Sequence, residues 1–283
     1  MPDPNDFWST TDFAYTCLRD HERTSALAAV IAASVRPGDA VLDAGAGTGI
    51  LALHAARAGA VRVHAVEIDP VLCQHLRATV HRNGYDDVIE VVQADVHDFR
   101  APTVDVALVE LIETALVDES LVSAYNALVA SGTVGGATRC LPSRYTTAVQ
   151  PVVTDDRIDG FTVVALRHDW SHYALQPDVW EPAPWRPTGA AVPIWTTDFT
   201  GDPVPLAVRA RLEVPDPETN GLRLTGQMVM PDGQHLGEFP SLNGPKIVPL
   251  PPRPAGSTAL ELRYELSGGF RAFEMIWLPG RSC

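Results

Sequence analysis

In the first half of the chain, short apolar runs alternate with stretches whose apolar positions recur at helical spacing. The runs are Ala40–Ala44, Val61–Val66, Val88–Gln93 and Val104–Val109. Segments apolar on both faces are the strands of a parallel sheet covered by helices. Between them, Ala26, Leu27, Val30, Ile31 and Val35 form one stripe, capped by Asp20 and ended by Pro37-Gly38. A second helix is expected from Ile50 to Gly59. A third is opened by Asp69-Pro70 and closed before Asn83-Gly84, and a fourth carries Leu121, Tyr125 and Leu128 up to Gly132. The alternation predicts an α/β, doubly wound sheet.

After Pro142 the texture changes. Prolines crowd in and period-two alternation replaces helical spacing, most cleanly where Leu260, Leu262, Tyr264 and Leu266 alternate with Glu261, Arg263 and Glu265. Gly221–Met230 and Phe270–Leu278 also read as strands. The expected organisation is a first domain over 1–142 and a β-barrel or β-sandwich over 143–283. The interval 175–200, with Trp180, Trp185 and Trp195 among prolines, reads as a long ordered excursion. Phe7, Trp8, Phe13 and Tyr15 make 1–19 too aromatic for a disordered tail; the segment either folds over the site as a lid helix or packs on the domain surface.

Composition narrows the partners. A net charge of −14 argues against nucleic acid and favours approach of cations, although an acidic surface also serves solubility. Without a membrane-length apolar run or a signal-like start, the expectation is a cytoplasmic protein with no membrane partner. Cys17, Cys73, Cys140 and Cys283 are scattered without a C-x-x-C pair, and His168 and His172 share an i, i+4 spacing outside any clear helix. No metal site is therefore expected.

Chemistry concentrates at the first strand. Gly45, Gly47 and Gly49 follow Asp43 in a G-x-G-x-G turn, and Glu67 ends the second strand. A dinucleotide loop has the spacing G-x-G-x-x-G, and a carboxylate at the strand end repels a pyrophosphate. Asp43 and Glu67 suit a cationic nucleoside instead, with Glu67 accepting from ribose hydroxyls. The cofactor that fits is S-adenosylmethionine rather than NAD. Asp95, after the third strand, is placed to meet an adenine amino group. Glu110 lies just beyond the fourth strand, where ligands bind in open α/β sheets. Arg23 stands in a helix's first turn, where the dipole favours acids; holding a carboxylate would explain it, and an ordinary exposed arginine is the alternative.

These residues resemble the protein arginine methyltransferase family over nearly the whole chain. Val41–Leu51 is similar to its cofactor motif, and Leu18–Thr24 to the segment whose arginine, here Arg23, holds the cofactor carboxylate. The resemblance also assigns Gly45 and Gly47 to the cofactor loop, Glu67 to the ribose and Asp95 to the adenine. Glu110 and Glu119, nine positions apart, match the family's double-glutamate loop, and Leu141–Tyr145 resembles the join to its barrel. The resemblance implies a Rossmann-like S-adenosylmethionine-dependent methyltransferase domain followed by a β-barrel. Two carboxylates gripping a guanidinium fix its plane and draw positive charge from the attacking nitrogen.

The sequence also departs from the family. Ser241-Leu242-Asn243-Gly244 stands where the family has Thr-His-Trp, and Ala14-Tyr15-Thr16 where it has His-Glu-Glu. Glu113 replaces a glycine and adds a third acid. Glu113 and Tyr15 are accordingly candidates for contacting the acceptor. The expected activity is N-methylation of a guanidino or amino group on a cationic small molecule or peptide. Methylation of protein arginine, O-methylation and a non-catalytic cofactor-binding scaffold are the alternatives. The family's dimerisation arm falls in 175–200, which leaves a homodimer open.

Overall fold

The computed structural model describes residues 13–169, 184–239 and 241–280. Phe7, Trp8, His172, Trp180 and Cys283 lie outside them, as does most of the expected lid segment. Two helices, α1 (Phe13–Arg19) and α2 (His21–Ser34), lead into the parallel sheet. It is built from β1 (Ala40–Ala44), β2 (Arg62–Glu67), β3 (Ile89–Gln93), β4 (Val106–Val109) and β5 (Arg139–Leu141), in the order β3-β2-β1-β4-β5. All four pairings are parallel. The order reverses between β1 and β4, which opens a crevice at their carboxyl ends.

The connecting helices are α3 (Ile50–Arg57), α4 (Pro70–Arg82) and α5 (Leu121–Ala130). Helix α4 shows why they form where they do. Asp69 caps it through Val71 and Leu72 N–H at 2.8 and 3.1 Å, and Pro70 fills the first position. Cys73, Leu76 and Val80 are its buried face, and the chain leaves through Gly84 at φ 71°. Every residue of β4 is buried, as its unbroken apolar run requires. Helix α1 falls within the segment 1–19 from which an N-terminal lid helix is expected.

Behind Pro142 the chain is antiparallel. The long strand β6 (Arg144–Thr154) pairs with β10 (Trp185–Pro187), β11 (Val192–Asp198) and β13 (Gly221–Val229). β13 also pairs with β15 (Lys246–Pro249), which meets β9 (Arg167–His168). Among the described residues the hairpin β7 (Arg157–Ile158) and β8 (Phe161–Thr162) pairs only with itself, and β14 (His235–Leu236) pairs with β13. A separate sheet holds β12 (Ala207–Glu213), β16 (Ala259–Glu265) and β17 (Glu274–Trp277) in the order β12-β16-β17. Antiparallel sheets thus follow the parallel one, as expected of a β-barrel or β-sandwich, although among the described residues they do not close into one barrel. The described part of 175–200 is not an excursion but contains β10 and β11, which pair with β6. Phe270–Ala272 is a 3-10 turn rather than the start of a strand. No helix among the described residues is long and apolar enough to cross a membrane.

Candidate active site

A cavity of about 330 Å³ lies at the crevice between β1 and β4. Its walls are the glycine loop, Glu67, Asp95, the segments Glu110–Ile112 and Asp118–Ser120, and Arg23 with the inner face of α1. Gly45, at φ 75°, donates to Val66 O at 2.9 Å; a Cβ there would stand 2.5 Å from Leu111 Cδ2. Gly47, at φ 52°, donates to Glu67 Oε2 at 2.8 Å, and a Cβ on it would meet little but open space. The loop is therefore moulded around the tip of β2, with room left above it.

Glu67 holds both sides of that tip. Its second oxygen, Oε1, accepts from Asp69 N–H at 2.9 Å. Each carboxylate oxygen retains accepting capacity after one backbone bond. Asp95 Oδ1 accepts from the His97 backbone at 2.9 Å and lies 2.7 Å from His97 Nδ1; burial would raise its pKa, but these bonds bring it below the usual value. Asp43 sits elsewhere than its position in the motif suggests. It is 1 % exposed, lies beneath the cavity rather than on its wall, and accepts from Ala52 N–H in the first turn of α3 at 2.9 Å. Burial pushes its carboxyl up to about 7.

The two glutamates of the loop reach the same cavity. Glu110 leaves the end of β4 and accepts from Arg23 Nη2 at 2.6 Å. Burial raises the Glu110 pKa, and the guanidinium only partly offsets it. Burial works against the Arg23 charge, yet Glu110 holds that group above its ordinary value. Glu119 is pushed up to about 8, first by burial and then by the charge on Glu110. The two acids therefore titrate as a coupled pair.

The loop between them is shaped by the antiparallel part of the chain. Ala115 and Leu116 adopt φ of 63° and 54°, left-handed conformations that cost a non-glycine residue about 1–3 kcal/mol each. Tyr145 Oη accepts from Ala115 N–H at 3.0 Å and donates to Asn243 Oδ1 at 2.6 Å. Thr114 Oγ1 donates to Gly244 O, while Ser267 and Gly269 N–H donate to Leu116 and Val117 O at 2.8 Å. On the other flank, Asp20 caps α2 through Arg23 N–H and accepts from Ser241 N–H at 3.0 Å and Ser241 Oγ at 2.8 Å. The segment 241–244, singled out as a departure, is thus a brace for both Arg23 and the loop.

Arg23, Gly45, Gly47, Glu67, Asp95, Glu110 and Glu119 all stand on the cavity wall. Tyr15 does not; α1 turns Ala14, Cys17 and Leu18 inward at helical spacing and leaves Tyr15 62 % exposed. Glu113 is also off the wall, in an ion pair with Lys246 of β15. Sequence reasoning missed Lys246, Tyr145 and Asn243 as supports. One signal was available for the first, since Lys246 is the only lysine in the chain.

Comparisons with known proteins agree with this geometry. Residues 18–172 match the family described as "Ribosomal protein L11 methyltransferase (PrmA)". An uncharacterized protein of Methanocaldococcus jannaschii is 25 % identical over 92 % of this chain and 95 % of its own. The arginine N(omega)-methyltransferase of Streptomyces achromogenes subsp. streptozoticus is 37 % identical, over 38 % of this chain and 31 % of that protein. Among solved structures, the Trypanosoma brucei PRMT1 enzyme–prozyme heterotetrameric complex with AdoHcy shares the fold. It has a TM-score of 0.63 at 19 % identity and covers 88 % of this chain and 85 % of that one.

Proposed function

Since the chain belongs to the ribosomal protein L11 methyltransferase family and is an S-adenosylmethionine-dependent methyltransferase, we propose that it methylates nitrogen on a guanidino or amino group of a small molecule or peptide. The observation that carries this reading is the convergence of Glu110 and Glu119 on the cavity that also holds Arg23 and Glu67. With Glu110 paired to Arg23, a cationic acceptor would compensate the second buried carboxylate, Glu119, which a neutral hydroxyl would not.

The residues present fit the cofactor. Arg23 Nε is buried without a hydrogen-bond partner among the described residues, a donor available for a carboxylate. Glu67 has accepting capacity for two ribose hydroxyls, and Asp95 Oδ2 for an adenine amino group. When bound, S-adenosylmethionine supplies an electrophilic methyl group on a sulfonium. Glu110 and Glu119 orient the acceptor nitrogen toward it, and their negative charge stabilises positive charge developing on the acceptor. Glu119, whose carboxyl burial and the charge on Glu110 raise to about 8, is drawn to its carboxylate form by the bound cation and can then accept the proton released from the nitrogen. We read residues 1–142 as the cofactor-binding unit and 143–283 as the unit that shapes the acceptor side.

Protein-bound arginine is the second reading, favoured by the likeness to the Trypanosoma brucei arginine methyltransferase complex across both sheet systems. Mass spectrometry with isotopically labelled cofactor and a panel of guanidines, amines, short peptides and intact arginine-bearing proteins separates the two. Label on a free guanidine, an amine or a short peptide supports the first reading, and label confined to arginine of an intact protein supports the second. Label on oxygen would overturn both.

A further inference from the structure

We infer that Lys246 is a positioning residue: gripping Glu113 and Asp118 from β15, it fixes the loop that carries Glu110 and Glu119 and so sets how that pair holds an acceptor. The inference rests on the reading of the two glutamates given above. Lys246 is 5 % exposed, yet its ammonium reaches two acids of the same loop. One is Glu113, in direct ion-pair contact, and the other is Asp118, at 3.2 Å. Glu113 follows Glu110 by three positions and Asp118 immediately precedes Glu119, so one cation holds the loop near both functional ends. The Phe270 ring covers the ammonium at 4.9 Å, and His168 is the cross-strand neighbour of Lys246 in β9.

Alternatives for these groups fit less well. Glu113 does not stand on the cavity wall, so it does not serve the acceptor directly. Its second oxygen is buried without a hydrogen-bond partner among the described residues. Such a carboxylate is tolerable only beside a compensating cation. The loop also carries Ala115 and Leu116 at positive φ, a conformation that persists only when its surroundings over-determine it. Tyr145 and Thr114 hold the middle of the loop, and Lys246 holds its flanks. A surplus acid and the chain's sole lysine thus act together: the acid gives the lysine a point of attachment beside Glu110.

Hydrogen exchange on the full chain saturated with S-adenosylmethionine tests this, comparing the parent with Lys246→Met, Lys246→Arg and Glu113→Gln. In Lys246→Met the amides of 113–119 should exchange about tenfold faster, with β1 and α4 unchanged and protection regained in Lys246→Arg. With L-arginine as acceptor, its KM should rise about tenfold while cofactor affinity stays at the parental value. Parental exchange in 113–119 overturns the proposal. So does acceleration spread evenly over β6, β13 and β15, which is what a merely structural lysine would give. Should Lys246→Met fail to fold, Glu113→Gln carries the same comparison, with the same local loss expected and parental exchange again fatal. If Glu110→Gln and Glu119→Gln turn L-arginine over at the parental rate, the reading of the acid pair falls instead. The exchange data then still decide the role of Lys246.

Discussion

Arg23 of α2 and Glu110 at the end of β4 meet in a 2.6 Å ion pair across 87 positions of sequence. Each is costly to bury alone, and each faces the cavity. The pair links the proposed cofactor side of the site to the acceptor side. Arg23→Ala should weaken S-adenosylmethionine binding by about 1–3 kcal/mol, the range for removing a charged partner. An analogue without the amino-acid carboxylate should lose much less affinity by calorimetry. Equal losses for both ligands would mean that Arg23 acts through the fold.

Glu110→Gln and Glu119→Gln keep shape and hydrogen-bonding capacity but remove charge. Cofactor affinity should survive, while kcat falls on the order of 10²–10³ in each. The double variant should lose less than the product of the single losses, because the two acids act on one acceptor. Steady-state kinetics with the acceptor found by mass spectrometry provide the check. Single-variant rates within a few-fold of the parent would place the chemistry elsewhere.

Stability should fall as pH rises from about 4.5 to about 8. In the folded chain Glu119 titrates near 8 against an ordinary value of 4.5, so in this window the unfolded chain binds fewer protons. Asp43 adds the same sign between 3.8 and about 7. The contribution of Glu119 is fully present below its ordinary value and lost through about 8. Thermal denaturation of Glu119→Gln should show a shallower decline across that range than the parent. An unchanged slope would show that Glu119 does not bury a raised carboxyl.

Asp43 and Glu67 should separate stability from binding. Asp43→Ala removes the acceptor for Ala52 N–H at the start of α3 and should destabilise the fold by about 0.5–2 kcal/mol in urea titration. Glu67→Ala should chiefly weaken the cofactor, by about 1–3 kcal/mol. S-adenosylmethionine should bind the parent and NAD should not. A larger binding loss in Asp43→Ala than in Glu67→Ala would return Asp43 to the ligand.

The sequence by itself determined the parallel sheet, the glycine turn and the cofactor class. These depend on local rules: apolar runs buried on both faces, Asp69-Pro70 opening a helix, glycines where φ is positive. It also determined that Glu67, Glu110 and Asp95 lie at strand ends, because strand ends are legible from where apolar runs stop. Tertiary structure alone decided what those residues meet. Asp43 belongs to the same motif as Gly45, yet its depth beneath the loop and its bond to Ala52 depend on how α3 folds back on β1. Glu113 reads as a third active-site acid until β15 brings Lys246 against it from more than a hundred positions away. Which antiparallel strands pair was equally out of reach, since period-two alternation marks a buried face without naming its partner. A side chain's type follows from sequence, but its partner depends on long-range contacts that no local pattern encodes.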